Sequence, residues 1–170
     1  MKKKILIFQP KIQHYRLPLF DIINNKYDLK VLGVTNKGEA INGGYRNYFE
    51  NVKYFNFLGI HLWSKIFATI IKNKPHTVII TASPRNLSSW IIPIISKFLN
   101  FKVVGWSKIN SDELTQNNIK KKFKSIFYSN FNYLILYGEK SKKELKNLSL
   151  SFNKKKIYVA PNTIDTNFYK

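Results

Sequence analysis

Seven short apolar runs punctuate the chain: Lys4–Phe8, Asp28–Val34, Val52–Phe57, Thr77–Thr81, Lys102–Trp106, Tyr133–Tyr137 and Ile157–Ala160. Most are continuous rather than alternating, which is the pattern of strands buried on both faces. Between them apolar residues recur at helical spacing. A helix is predicted from Leu17 to about Asn25, with Pro18 in its first turn, where a proline is tolerated. Trp63, Ile66, Phe67, Ile70 and Ile71 line a second helix, which Pro75 stops. Leu87, Trp90, Ile91, Ile94, Ile95 and Phe98 line a third, and Pro93 inside it is expected to kink or split it. In a fourth, Ile119, Phe123, Ile126, Phe127 and Phe131 share one face, with Lys120, Lys121, Lys122 and Lys124 largely on the other. A short fifth helix runs from Ser141 to about Leu148. Thr35 to Glu50, polar and holding Gly38, Gly43 and Gly44, reads as a loop.

Strand and helix alternate almost throughout. That order predicts an α/β fold: a Rossmann-like, doubly wound parallel sheet of about seven strands in a three-layer sandwich. The expected strand order is 3-2-1-4-5-6-7. Residues 1–160 form the domain and 161–170 a non-periodic tail. No internal repeat or low-complexity linker interrupts it.

Composition adds a charge. The 170 residues carry 29 Lys and Arg against 9 Asp and Glu, a formal net charge of +20 spread along the chain rather than gathered in a tail. Such a surface attracts polyanions: anionic lipid headgroups, acidic glycans or nucleic acid. The same charge also follows from a composition rich in Lys, Asn and Ile, so it does not select a partner by itself. Nucleic acid has only the charge in its favour, because no binding motif is present and the aromatics sit at core spacing; no nucleic-acid partner is expected. The absence of cysteine excludes disulfides and thiolate metal sites. The apolar run behind Lys2-Lys3-Lys4 is too short for a signal peptide, and no segment reaches the ~20 apolar residues of a membrane span. A cytoplasmic protein, free or on a membrane surface, is expected.

In an open parallel sheet ligands gather at the carboxyl ends of the strands. The loops there carry Gln9, His14, Tyr15 and Arg16 after the first strand, and Ser83, Arg85 and Asn86 after the fourth. After the fifth come Trp106, Ser107 and Lys108, and after the sixth Glu139. Arg16 and Arg85 each lie beside a helix start, where side-chain and backbone N–H groups together suit an anion. The opposing reading is two solvated loop arginines. The first loop lacks the glycines of a dinucleotide or P-loop site. The three histidines are scattered, so no metal is expected, and no pair of carboxylates converges on this edge to act as acid and base.

The same loops carry a resemblance. Gln9-Pro10-Lys11-Ile12-Gln13-His14-Tyr15-Arg16-Leu17-Pro18-Leu19-Phe20 resembles the opening of a branch of the GT-B fold, family 4 type glycosyltransferases. Thr81 to Trp90 is similar to that branch's segment after strand four, and Val103-Val104-Gly105-Trp106 to its fifth strand. Tyr137-Gly138-Glu139-Lys140-Ser141 and Ile157-Tyr158-Val159-Ala160-Pro161-Asn162-Thr163-Ile164-Asp165 resemble two further motifs, the last leading from the amino-terminal to the carboxyl-terminal domain. Five motifs in order span nearly the whole chain. The fifth-strand loop departs from the pattern: the branch usually has a histidine where this chain has Trp106-Ser107-Lys108. Lys108 can offer charge to a phosphate but cannot copy an imidazole's acid–base behaviour near neutral pH.

The resemblance implies the acceptor-side half of a GT-B enzyme. In such enzymes a second domain binds the sugar nucleotide, in part through two glutamates; here the chain reaches Lys170 just past the linker motif, so that donor domain is absent and the half would be inactive alone. The expected function is acceptor binding for a retaining transfer from a nucleotide sugar to a cell-surface glycan or lipid-linked acceptor. No cofactor is expected in this chain. The expected partners are that acceptor, the donor-binding domain in cis or as a separate chain, and an anionic membrane surface met by Lys120, Lys121, Lys122 and Lys124 on the inner face. The alternative is a non-enzymatic Rossmann-like module that holds an anionic glycan or lipid at the same edge.

Overall fold

A computed structural model of the chain describes residues 2–12, 14–34, 47–63, 65–109, 118–148 and 157–161. Their elements are β1 (Lys4–Lys11), a 3₁₀ turn (His14–Arg16), α1 (Leu17–Lys26), β2 (Asp28–Val34), β3 (Phe49–Asn51), β4 (Tyr54–Phe57) and β5 (Ile60–Trp63). They continue with α2 (Ile66–Asn73), β6 (Thr77–Thr81), α3 (Leu87–Leu99), β7 (Lys102–Ser107), α4 (Asn118–Ser129), β8 (Tyr133–Leu136), α5 (Glu139–Leu148) and β9 (Ile157–Val159). Most of the expected linker, 162–170, lies outside the described residues, as do 35–46 and 110–117 of the polar loops.

Seven strands form one sheet in the order β3-β2-β1-β6-β7-β8-β9, every pair parallel. Counted within that sheet, this is 3-2-1-4-5-6-7, as expected. The order reverses between β1 and β6, whose diverging loops open the crevice of a doubly wound fold. Leu17 and Phe20 of α1 pack with Ile7, Leu29 and Val31 on one face. The larger core on the other face joins Leu6, Phe8, Val78, Ile80, Val103 and Leu134 to α2, α3, α4 and α5. The layers are therefore unequal. On the α1 side Val104, Tyr133, Ile135, Tyr158 and Ala160 line an open apolar hollow of about 330 Å³ over β7, β8 and β9.

Three expectations need correction. The third strand of the sheet is Phe49–Asn51, not Val52–Phe57; residues 54–57 pair antiparallel with Ile60–Trp63 as a separate hairpin. Its two turn residues, Leu58 and Gly59, both have positive φ, 49° and 76°. That matches the twist of a two-residue hairpin, but leucine there gives no sequence signal. Trp63 consequently ends a strand instead of opening a helix. Of the two outcomes expected at Pro93, the split does not occur: α3 runs unbroken from Leu87 to Leu99 with Pro93 buried. The amphipathic face of α4 is also narrower than its spacing suggests. Phe127, Tyr128 and Phe131 are buried, whereas Ile119, Phe123 and Ile126 are exposed. Lys120 and Lys122 are exposed while Lys121 and Lys124 are half-buried, so the four lysines do not make one solvated face.

Gly105 sits at the crowded centre of this sheet, opposite Ile80 and Leu134. A Cβ there would meet Leu134 Cδ2 at 2.8 Å, Phe131 Cδ1 at 2.9 Å and Ala82 Cβ at 3.0 Å. Gly105→Ala should therefore destabilise the domain by about 1–3 kcal/mol through overpacking. Urea unfolding with a lower midpoint and unchanged slope checks it.

Candidate functional site

The carboxyl edge of the sheet is built from the ends of β1, β6, β7 and β8. At β1 the chain leaves the sheet, makes the 3₁₀ turn and enters α1 with Pro18 in its first turn. Arg16 is the residue before α1 and makes no capping bond with its side chain. Its guanidinium turns back over the sheet instead. Nη1 donates to Oε1 of Gln9, and Nη2 donates to the Tyr137 hydroxyl at 2.6 Å. The guanidinium carbon lies 4.6 Å from the Trp106 ring centre, 5.5 Å from that of Tyr15 and 5.8 Å from that of Tyr137. The Trp106 and Tyr137 rings are themselves 5.9 Å apart. Arg16 thus reaches across the end of β6 and ties β1 to β7 and to the residue after β8.

Among the described residues the cage is positively charged and holds no neutralising group. Among those residues the partners of Arg16 are an amide, a phenol and aromatic faces, and no carboxylate pairs with it. Gln9 is 1% exposed, and its side-chain carbonyl oxygen orients the guanidinium. A guanidinium has five N–H groups, and two are used here. Arg16 Nε and the indole N–H of Trp106 are buried without a partner among the described residues. Both can only donate, so what the cage can accept is an electron-rich acceptor, best an anion, beside a stack of aromatic rings.

Of the residues singled out from the sequence, the structure brings together Gln9, Tyr15, Arg16 and Trp106. The side chain of His14 lies outside what is described. Ser83 and Asn86 form the turn before α3: Asn86 N–H donates to Ser83 O, and Asn86 Oδ1 accepts from Ser88 N–H at 3.1 Å as an N-cap. The Asn86 Nδ2 is buried without a partner among the described residues. Arg85 is exposed on the same turn, and its carbonyl accepts from His61 N–H of β5 at 2.9 Å. Ser107 points away from the cage: it is buried, and its hydroxyl donates to Ala82 O at 2.9 Å. Lys108 is exposed at the end of β7. Glu139 is exposed at the start of α5 beside Lys142 at 3.4 Å. The residue that sequence reading missed is Tyr137. Its place directly after β8, on the same edge, was the available signal.

A larger hollow of about 520 Å³ lies at the opposite edge, among Ile70, Lys74, His76, Leu99 and Phe101. It precedes β6 and β7, so it is remote from the crevice. Among the described residues no three His, Asp or Glu side chains gather as metal ligands, and no helix is long and apolar enough to cross a membrane.

No family model matches the chain, and no curated protein does. Among solved structures it is similar to Alr3699/HepE of Anabaena, crystallised in complex with UDP, with a TM-score of 0.58 and 16% identity. The match covers 99% of this chain and 46% of that one. The chain therefore spans less than half the length of this neighbour, and at this identity what the two share is the fold.

Proposed function

We propose that the chain is the acceptor-binding half of a retaining glycosyltransferase, and that the Arg16 cage holds an anionic group of the acceptor. The observation that carries this is a guanidinium with no carboxylate partner among the described residues, set against Trp106 at the crevice of a doubly wound sheet. Aromatic faces suit the apolar faces of sugar rings, and a forked cation suits a phosphate or carboxylate. The five family 4 type motifs point the same way, and two of them supply the cage residues Gln9, Tyr15, Arg16 and Tyr137. Arg85, exposed on the neighbouring loop, is the second cation of this site; Lys108 and His14 are peripheral contacts. The sugar-nucleotide donor is left to a second domain, in cis or as a separate chain. The UDP in the neighbour of twice the length is in keeping with that division of labour. The acceptor is a cell-surface glycan or a lipid-linked one, handled at the cytoplasmic face of a membrane.

The test is an array of phosphorylated, uronate-bearing and neutral oligosaccharides probed with the purified chain. Retention of the anionic members, competed by inorganic pyrophosphate, is the expected result. Retention of none, or equal retention of neutral ones, overturns the reading. Incubated by itself with nucleotide sugars and a lipid-linked acceptor pool, the 170-residue chain should give no turnover.

A further inference from the structure

The exposed apolar residues of α3 and α4 are not scattered. On α3, Leu87, Ile94 and Phe98 recur at spacings of one turn and two, and all three face solvent. On α4, Ile119, Phe123 and Ile126 recur at one-turn spacings and are exposed as well. Trp90 joins the two rows, its ring 4.8 Å from that of Phe123. The outermost members are almost bare: Phe98 is 82% exposed and Ile119 79%. A contiguous apolar surface on a protein of this size marks an interaction site. Exposed Lys97 and Lys122 border it.

We infer that this α3–α4 surface is the face by which the protein lies on an anionic bilayer. The inference rests on the membrane part of the reading above and names the surface that makes the contact. Three observations choose the bilayer over other occupants. The net charge of +20 opposes face-to-face pairing of two copies and favours an anionic partner. The outer rows are aliphatic side chains and phenylalanine with a lysine border, the composition of an interfacial helix, whereas protein interfaces are poor in lysine. Both helices also begin at the carboxyl edge of the sheet, after β6 and β7. Leu87 and Ile119 in their first turns place the apolar surface beside the edge that carries the Arg16 cage. A lipid-linked acceptor would then meet the site from the surface on which the protein rests. The lysines of α4 act through this surface rather than as a face of their own.

The experiment is co-sedimentation of the purified chain with phosphatidylcholine vesicles, with and without phosphatidylglycerol, at low and high salt. Wild type should bind the anionic vesicles and keep part of that binding at high salt. The double variant Phe98→Ser/Ile119→Ser should lose at least about tenfold in partitioning, with the salt-resistant part gone. Lys97→Gln/Lys122→Gln should lose about tenfold at low salt only. All four residues are exposed, so the variants should keep the wild-type melting curve; Ile94→Ser serves as a second apolar probe. Failure of wild type to bind, or wild-type binding by Phe98→Ser/Ile119→Ser, overturns the proposal. So does a lipid-free dimer that this variant disperses, which would assign the surface to a second copy. Oligosaccharide binding by Phe98→Ser/Ile119→Ser should equal wild type, so the vesicle and array results can fail separately.

Discussion

Trp63→Ala should lower the stability of the domain by about 3–5 kcal/mol, the range for emptying a buried large aromatic site. Against the ~5–15 kcal/mol that a domain has in total, that is enough to leave the variant partly unfolded near body temperature. Trp63 is 2% exposed and lies in the larger core, with its ring edge-on to Phe8 of β1 at 5.8 Å. The loss has a local consequence as well. The Trp63 indole holds in place a hairpin whose backbone is tied to α3: the Trp63 backbone N–H donates to the Ser88 hydroxyl, and His61, two residues earlier, bridges to Asn86. Through these bonds the β4–β5 hairpin clamps the turn that carries Arg85 and Asn86. The Trp63→Ala chain should therefore show a lower urea midpoint and faster amide exchange at Ser88 and at the hairpin than at β8. A loss under 1 kcal/mol, or exchange that rises evenly, would mean that the indole is not the anchor of the hairpin.

This hairpin also shows where the sequence stops being legible. The parallel sheet could be read because its strands are unbroken apolar runs, and a strand buried on both faces such as Leu6–Phe8 has no other way to satisfy its side chains. Residues 54–63 are also mostly apolar but pair with each other. What decides is a turn with positive φ at Leu58, and leucine carries no preference for that conformation. The mistake at α4 is of another kind. Spacing tells which residues share a face, but not how much of that face the neighbouring layer covers. Phe127 is covered because Trp90 lies 4.8 Å from it, whereas Ile119 in the first turn stays 79% exposed. For the site, loop position after strand ends picked out Gln9, Tyr15, Arg16 and Trp106, since topology alone puts those loops on one edge. It could not say that Trp106 and Ser107, adjacent in the chain, point to opposite faces of the sheet. Nor could it find Tyr137, whose contact with Arg16 spans 121 residues.

Arg16→Lys should weaken binding of an anionic oligosaccharide at least tenfold, about 1.4 kcal/mol, although the charge is kept. The reason is geometric. The guanidinium is held by Gln9 and Tyr137 in the plane and by Trp106 beneath it, so its remaining N–H groups are fixed in direction. A lysine ammonium at the end of a flexible stem can satisfy one of those oxygen acceptors but not both, and it does not stack. Tyr137→Phe keeps the ring and removes one of the two in-plane anchors, so a smaller loss of a few-fold is expected. Because the two side chains act as one unit, Arg16→Lys/Tyr137→Phe should cost less than the sum of its parts. Arg85→Lys, combined with Arg16→Lys, tests the second cation in the same way: departure from additivity is expected if both arginines hold one ligand. Isothermal titration with the tightest anionic member of the array measures all of these. Wild-type affinity in Arg16→Lys would reduce the cage to a structural tie between β1 and β8, and the anion site would have to be sought elsewhere. Strict additivity of Arg16 and Arg85 would leave the cage intact but separate Arg85 from it.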